Sequence, residues 1–156
     1  MNKSVQYIKN WLPVVLWICC IFLLSTESFS AENTSRIIER LLRFLIPHIT
    51  AREIDTIHFL VRKAAHVTEY CIMSLLLFHS FHNTMQIQRH WRWVFYSLVV
   101  VIFVAAIDEY HQAFVISRTS SIVDVGIDIM GGIIGQGISI TLYRLRRTLK
   151  KQPDSR

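Results

Sequence analysis

The sequence predicts an all-α fold: an integral membrane bundle of four transmembrane helices with an outer-face amphipathic helix between the first and second spans. Three observations predict it. Of 156 residues, 52% are hydrophobic and 18% charged, with a mean hydropathy of +0.36. The apolar residues gather in four runs, each close to the roughly 20 residues that cross a ~30 Å hydrocarbon core. The stretch between the first two runs repeats its apolar residues at helical spacing. The length suits one domain, and the hydrophobicity excludes a disordered chain.

The expected spans cover about 11–24, 64–81, 91–108 and 122–143. Residues 1–10 form a cytoplasmic N-terminus, 11–145 the membrane domain and 146–156 a basic cytoplasmic tail. Lys3, Lys9 and the Ser28-Phe29-Ser30 stretch before Ala31 resemble a secretory signal. Three further apolar runs favour a retained first span. Between the first two spans, Ile37, Ile38, Leu41, Leu42, Leu45 and Ile46 share one helical face, and Arg36, Glu39, Arg40 and Arg43 face away. Asn33 or Thr34 can cap this helix, Pro47 ends it, and Glu39–Arg43 is an i,i+4 pair. It lies on the outer leaflet or packs over the bundle mouth. A second helical stretch starts near Ala51 and runs into the second span without a breaker.

All five glycines fall between Gly126 and Gly137. Gly131 and Gly135 form a small-xxx-small packing face, which predicts a central place for the fourth span. Cys19, Cys20 and Cys71 show no ligand spacing and are expected to be small buried hydrophobes. Trp11, Trp91, Trp93 and Tyr143 fit an aromatic belt.

The net charge of +6 is compatible with nucleic acid or with cytoplasmic membrane loops. Placement decides. With four spans and a cytoplasmic N-terminus, one side holds ten basic residues against Asp154, and the other holds seven basic residues against ten acidic ones. The positive-inside rule then sets both termini in the cytoplasm. No aromatic-interleaved basic surface remains for nucleic acid.

Charged groups in membrane spans are costly and face a bundle interior or a wet cavity. Three clusters occur: Arg62, Lys63, His66, Glu69 and Tyr70 on the second span; Asp108, Glu109, His111 and Gln112 ending the third; and Asp124 and Asp128 opening the fourth. Arg118 lies in the loop before the last cluster. In the four-span topology all of them meet at the outer end, as one polar cavity. The alternative is an ion-pair network in which Arg62, Lys63 and Arg118 neutralise Asp108, Asp124 and Asp128. A divalent ion on His66, Glu69, Asp108, His111 and Asp124 suits the donor chemistry. Their spacing matches no known ligand motif, so no metal or other cofactor is expected.

These residues also carry a family resemblance. Arg62-Lys63-Ala64-Ala65-His66-Val67-Thr68-Glu69-Tyr70 resembles the RKxxHxxEY segment of the VanZ-like family. Asp108-Glu109-Tyr110-His111-Gln112-Ala113-Phe114 resembles its DExxQxF segment. Arg118 followed by Asp124-x3-Asp128-x2-Gly131-x3-Gly135 resembles its R…DxxxNxxGxxxG segment. The chain departs from the pattern at Asp128, where the family has Asn, and at Ile116-Ser117, where it has Pro-Gly.

The resemblance implies a multi-pass protein of the bacterial plasma membrane with a role in cell-envelope function or low-level glycopeptide (teicoplanin) resistance. Its partners would be the lipid bilayer and a glycopeptide or lipid-linked envelope precursor. Arg62, Lys63, His66, Glu69, Tyr70, Asp108, Glu109, Gln112, Arg118, Asp124 and Asp128 are the candidate ligand-binding residues. The alternative is a membrane enzyme on a lipid-linked or phosphorylated envelope substrate, with His66, Glu69, Asp108 and Asp124 as catalytic candidates. Ser117-Arg118-x5-Asp124-x3-Asp128 has the spacing of a motif of membrane phosphatidate phosphatases. Asp124 stands there in place of the relay histidine, and no PSGH segment supplies a nucleophile.

Overall fold

A computed structural model describes residues 3–26, 31–85, 90–114 and 121–150. They form five α-helices: α1 (Lys3–Leu24), α2 (Ala31–Leu45), α3 (Ala51–Thr84), α4 (His90–Gln112) and α5 (Ile122–Leu149). The readings placed on the cleavage-like stretch 28–30, on Ile116-Ser117 and Arg118, and on the end of the tail fall outside the described residues.

The expectation of four transmembrane helices is corrected. Among the described residues, three helices are long and apolar enough to cross a membrane: Lys3–Leu24, Trp91–Gln112 and Ile122–Leu149. The expected span at 64–81 lies inside the 34-residue α3. It fails because its apolar stretch is bracketed by polar groups, with Arg62, Lys63, His66 and Glu69 before it and His79, His82 and Asn83 after it. The even span count that set both termini on one side falls with it. Helices also extend past the expected boundaries, since α1 begins at Lys3 and α5 runs to Leu149.

Cross-helix contacts define the packing. Tyr7 Oη donates to Thr84 O (3.3 Å), Ser80 Oγ to Asn10 O (2.7 Å) and Trp17 Nε1 to Glu69 O (2.9 Å), so α1 runs antiparallel to α3. Pairing of Lys63 with Asp124 and of His82 with Tyr143 makes α5 parallel to α3. Phe78 meets Trp93, and α4 runs back beside α1 until Gln112 reaches Ser25. The starts of α1 and α4 and the ends of α3 and α5 therefore share one end of the bundle. The helix packed on all the others is α3, not the last helix, which was expected at the centre.

Glycines allow the α3–α5 approach. A Cβ on Gly131 would meet Val67 O at 2.5 Å, and one on Gly135 would meet Cys71 O at 2.5 Å. The small-residue face is thus spent on α3 of the same chain. Buried Tyr70, Met73, Leu77 and Phe81 of α3 and Val101, Val104 and Ala105 of α4 build the apolar core.

Outside, the bundle is apolar. Within the membrane-length windows of α1, α4 and α5, only 11%, 39% and 33% of residues are buried. Leu16, Leu23, Phe95, Phe103, Met130 and Ile133 all face outward. A surface this apolar fits lipid, and the three helices fit a multi-pass membrane protein.

Several surface expectations change. Cys19 and Cys20 are exposed and Cys71 is half-buried, because residue type does not tell which helix face is turned outward. Trp93 is buried against Phe78, His82 and Tyr143 instead of standing in a belt. Trp91 is exposed, with the Arg92 guanidinium 5.8 Å from its ring.

Helix α2 forms between the first two apolar runs as expected, but it begins at Ala31, which puts Asn33 and Thr34 inside the helix and not at its cap. Arg43 Nε donates to Glu39 Oε1 at 2.8 Å. Its Leu41, Phe44 and Leu45 are exposed. A capping box opens α3. Glu53 N donates to Thr50 Oγ1 (3.3 Å) and Thr50 N to Glu53 Oε2 (2.8 Å). The Thr50 backbone and hydroxyl hold the Glu53 carboxyl below its ordinary value of 4.5.

Candidate functional site

The helix directions bring the polar stretches of α3, α4 and α5 to one end. On α3, His66 and Tyr70 point inward one turn apart, continuing the stripe that holds Met73, Leu77 and Phe81. On α4 the inward stripe Val101, Val104 and Ala105 turns polar at Asp108, Glu109 and Gln112. On α5 the buried face reads Asp124, Asp128, Gly131, Gly132, Gly135 and Gln136. One repeat continues from core to site on each helix, so the packing that fixes the core also fixes the polar groups.

The bonds cross between helices. His66 Nδ1 lies 3.0 Å from Asp128 Oδ1. Lys63 pairs with Asp124, and its ammonium also sits 5.2 Å from the Phe59 ring centre. Gln112 Nε2 donates to Asp108 Oδ2 at 2.9 Å and to Ser25 Oγ at 3.3 Å, tying α4 to the end of α1. Glu109 Oε2 accepts from Ser121 N at 3.0 Å, just where Ser121 caps α5.

Burial makes these bonds consequential. Asp108 and Asp128 are 0% exposed, Glu109 5% and Asp124 7%. Among the described residues, two of these four buried carboxyl groups are ion-paired, Asp124 with Lys63 and Asp128 with His66. Buried polar atoms normally find partners. Here Asp108 Oδ1, Asp128 Oδ2, Glu109 Oε1 and Tyr70 Oη find none among the described residues.

Of the expected site residues, Lys63, His66, Asp108, Gln112, Asp124 and Asp128 are joined in these pairs. Tyr70 is buried a turn from His66, and Glu109 holds the start of α5. Arg62 and Glu69 are half-buried on α3, and Arg118 lies outside the described residues. His111 is exposed and packs edge-on to Phe22 at 6.3 Å between ring centres. Of the expected neutralisation by Arg62, Lys63 and Arg118, the described residues show Lys63 on Asp124. Asp128 turns to His66, and Asp108 to Gln112. A groove of about 440 Å³ lies elsewhere, between Ile46, His48, Ile49, Arg52, Glu53, Thr56 and Ile57.

The possible metal ligands change too. His66, Asp108 and Asp128 each bring one donor atom within 4.8 Å of the others. Asp128 therefore takes the place expected for Glu69, His111 and Asp124.

Ser25, Ser74 and Gln136 are among the buried polar residues that sequence reasoning misses. Ser25 receives Gln112. Ser74 Oγ donates to Gly132 O at 2.7 Å, and Gln136 Nε2 donates to Ser74 Oγ at 2.7 Å. Gln136 carries a usable signal, as an amide two turns after Asp128 on the same face inside an apolar run. Ser25 and Ser74 carry none, since serine is common on any helix.

The VanZ/LLP1 family model matches residues 10–144, a range that includes all three motif segments. No curated protein and no solved structure matches the chain.

Proposed function

The chain belongs to the VanZ/LLP1 family, and from that premise we propose that its buried polar end is a site for a component of the bacterial cell envelope. The role implied by the resemblance is low-level resistance to teicoplanin-type glycopeptides. The ligand on this reading is the glycopeptide or a lipid-linked envelope precursor. The observation that carries it is an inversion: charged side chains are joined inside one end of a bundle whose outer surface is apolar. Ionisable groups at membrane depth are expensive and are usually there for function.

On this reading the polar end faces outward. The opposite end carries Lys3, Lys9, Arg92, Arg144, Arg146 and Arg147 from the starts of α1 and α4 and the end of α5. Placing that end in the cytoplasm obeys the positive-inside rule and puts both helix termini on the same side. Arg62 and Arg118 suit bidentate recognition of phosphate or carboxylate.

A second reading draws on the His66–Asp128 pair. A histidine oriented by a carboxylate is the arrangement of a general base, so the site would act on a lipid-linked or phosphorylated substrate. One panel separates the two. His66, Glu69, Asp108, Gln112, Arg118 and Asp124 are substituted singly, and teicoplanin susceptibility is measured at matched membrane levels. Binding predicts partial function in Asp108→Glu. Catalysis predicts its loss and an altered lipid-linked species in membrane extracts. If all six substitutions change nothing, the site reading fails.

A further inference from the structure

We propose that His66, Asp108 and Asp128 form a binding site for one divalent transition cation of the Zn²⁺ class. The three residues come from α3, α4 and α5, and one donor atom of each lies within 4.8 Å of the others. This goes beyond an envelope ligand at the same end and does not depend on it.

Four observations converge on a cation. First, charge: Asp108 and Asp128 are fully buried, and unpaired buried carboxylates are strongly unfavourable. Among the described residues, Lys63 is already engaged by Asp124 and the one charge partner beside Asp128 is His66. One dication balances two carboxylates at once.

Second, Asp108 Oδ1 and Asp128 Oδ2 are buried with no hydrogen-bond partner among the described residues. Asp108 thus keeps an oxygen available as a ligand while Gln112 holds the other, and Asp128 has an oxygen with no donor on it.

Third, spacing: His66 Nδ1 and Asp128 Oδ1 are 3.0 Å apart. Two ligands about 2.1 Å from one ion at the tetrahedral angle stand roughly 3.4 Å apart. An ion that replaces this hydrogen bond needs the two atoms to part by only about 0.4 Å.

Fourth, the outer support is built. Gln112 Nε2 bonds Asp108 Oδ2 and is itself anchored on Ser25 Oγ. Hydrogen-bonded supports that orient ligating carboxylates are a regular part of metal sites.

Donor chemistry selects the ion class. Magnesium and calcium prefer all-oxygen sites. One imidazole with two carboxylates suits zinc, manganese or iron(II). Three protein ligands leave a coordination position open, as in catalytic zinc sites.

The test uses the full chain purified in detergent, with Zn²⁺ alone as probe in equilibrium dialysis. The expected result is about one Zn²⁺ per chain. Affinity should fall about tenfold or more in Asp108→Asn, Asp128→Asn and His66→Gln, and stay unchanged in His48→Ala. Circular dichroism of the metal-free variants establishes that they are folded. A second measurement needs no variant: Co²⁺ added to the unaltered protein should give a visible absorption band that Zn²⁺ abolishes. The proposal is overturned if the unaltered protein retains no Zn²⁺ and shows no such band. It is equally overturned if folded Asp108→Asn and Asp128→Asn bind Zn²⁺ as tightly as the unaltered chain.

Discussion

His66 Nδ1 sits 3.0 Å from Asp128 Oδ1, and the two residues join α3 to α5 at 6% and 0% exposure. A buried pair of this kind is asymmetric in its response to mutation. Removing one partner leaves the other uncompensated and costs about 3–5 kcal/mol. His66→Ala should therefore destabilise the protein by about that much in thermal unfolding in detergent. Asp128→Asn keeps a hydrogen-bond acceptor for His66 and removes a buried charge, so it should cost far less. Equal losses in the two variants would show that the pair depends on the carboxylate charge and not on the hydrogen bond alone.

The α3–α5 contact should depend on two of the five glycines and not on two others. A Cβ at Gly131 or Gly135 meets backbone oxygen at 2.5 Å, whereas Gly126 and Gly137 have open space. Gly131→Ala and Gly135→Ala should each destabilise by about 1–3 kcal/mol. Gly126→Ala and Gly137→Ala should be neutral or stabilise by up to about 1 kcal/mol through helix propensity. The four melting temperatures check this directly.

Ser74 and Gln136 form one hydrogen-bonded unit with Gly132 O. Interhelical hydrogen bonds in membrane proteins contribute about 0.6 kcal/mol on average and about 1.7 at most. Ser74→Ala should fall in that range. With Gln136→Leu, the double variant should lose less than the two single losses added together. Full additivity would mean that the two residues act separately.

The start of α3 should respond to acid. Thr50 lowers the Glu53 carboxyl below its ordinary value of 4.5. A lowered folded-state value means the contribution is present above the unfolded value and is lost as pH falls through the folded one. Thr50→Ala should cost about 1 kcal/mol at neutral pH. It should also flatten the loss of stability on acidification that Glu53 contributes, read by thermal unfolding across pH.

Part of the site is legible in the amino-acid sequence. The i,i+4 steps of Asp108–Gln112 and Asp124–Asp128 mark inward faces, because a helix repeats every 3.6 residues. Glycines four apart mark a close approach. Partners are not legible. Charge matching alone offers Asp128 to Arg62 or Arg118, yet helix register delivers it to His66. The expected span at 64–81 fails for a related reason. The polar groups of α3, among them Lys63 and His66, are satisfied by neighbouring helices, so its place in the bundle rests on packing that a hydropathy scan does not see. Cys19 and Cys20 sit in an apolar run and turn outward, because a helix in an apolar surrounding need not bury its apolar face.

The central claim is that the buried polar end serves function and not only stability. The most direct measurement is teicoplanin susceptibility of cells producing Asp108→Asn at the same membrane level and melting temperature as the unaltered protein. The side chain keeps its shape and an oxygen for Gln112, and loses only its charge. The account predicts susceptibility equal to that of cells lacking the protein. Susceptibility equal to that of cells with the unaltered protein would contradict it.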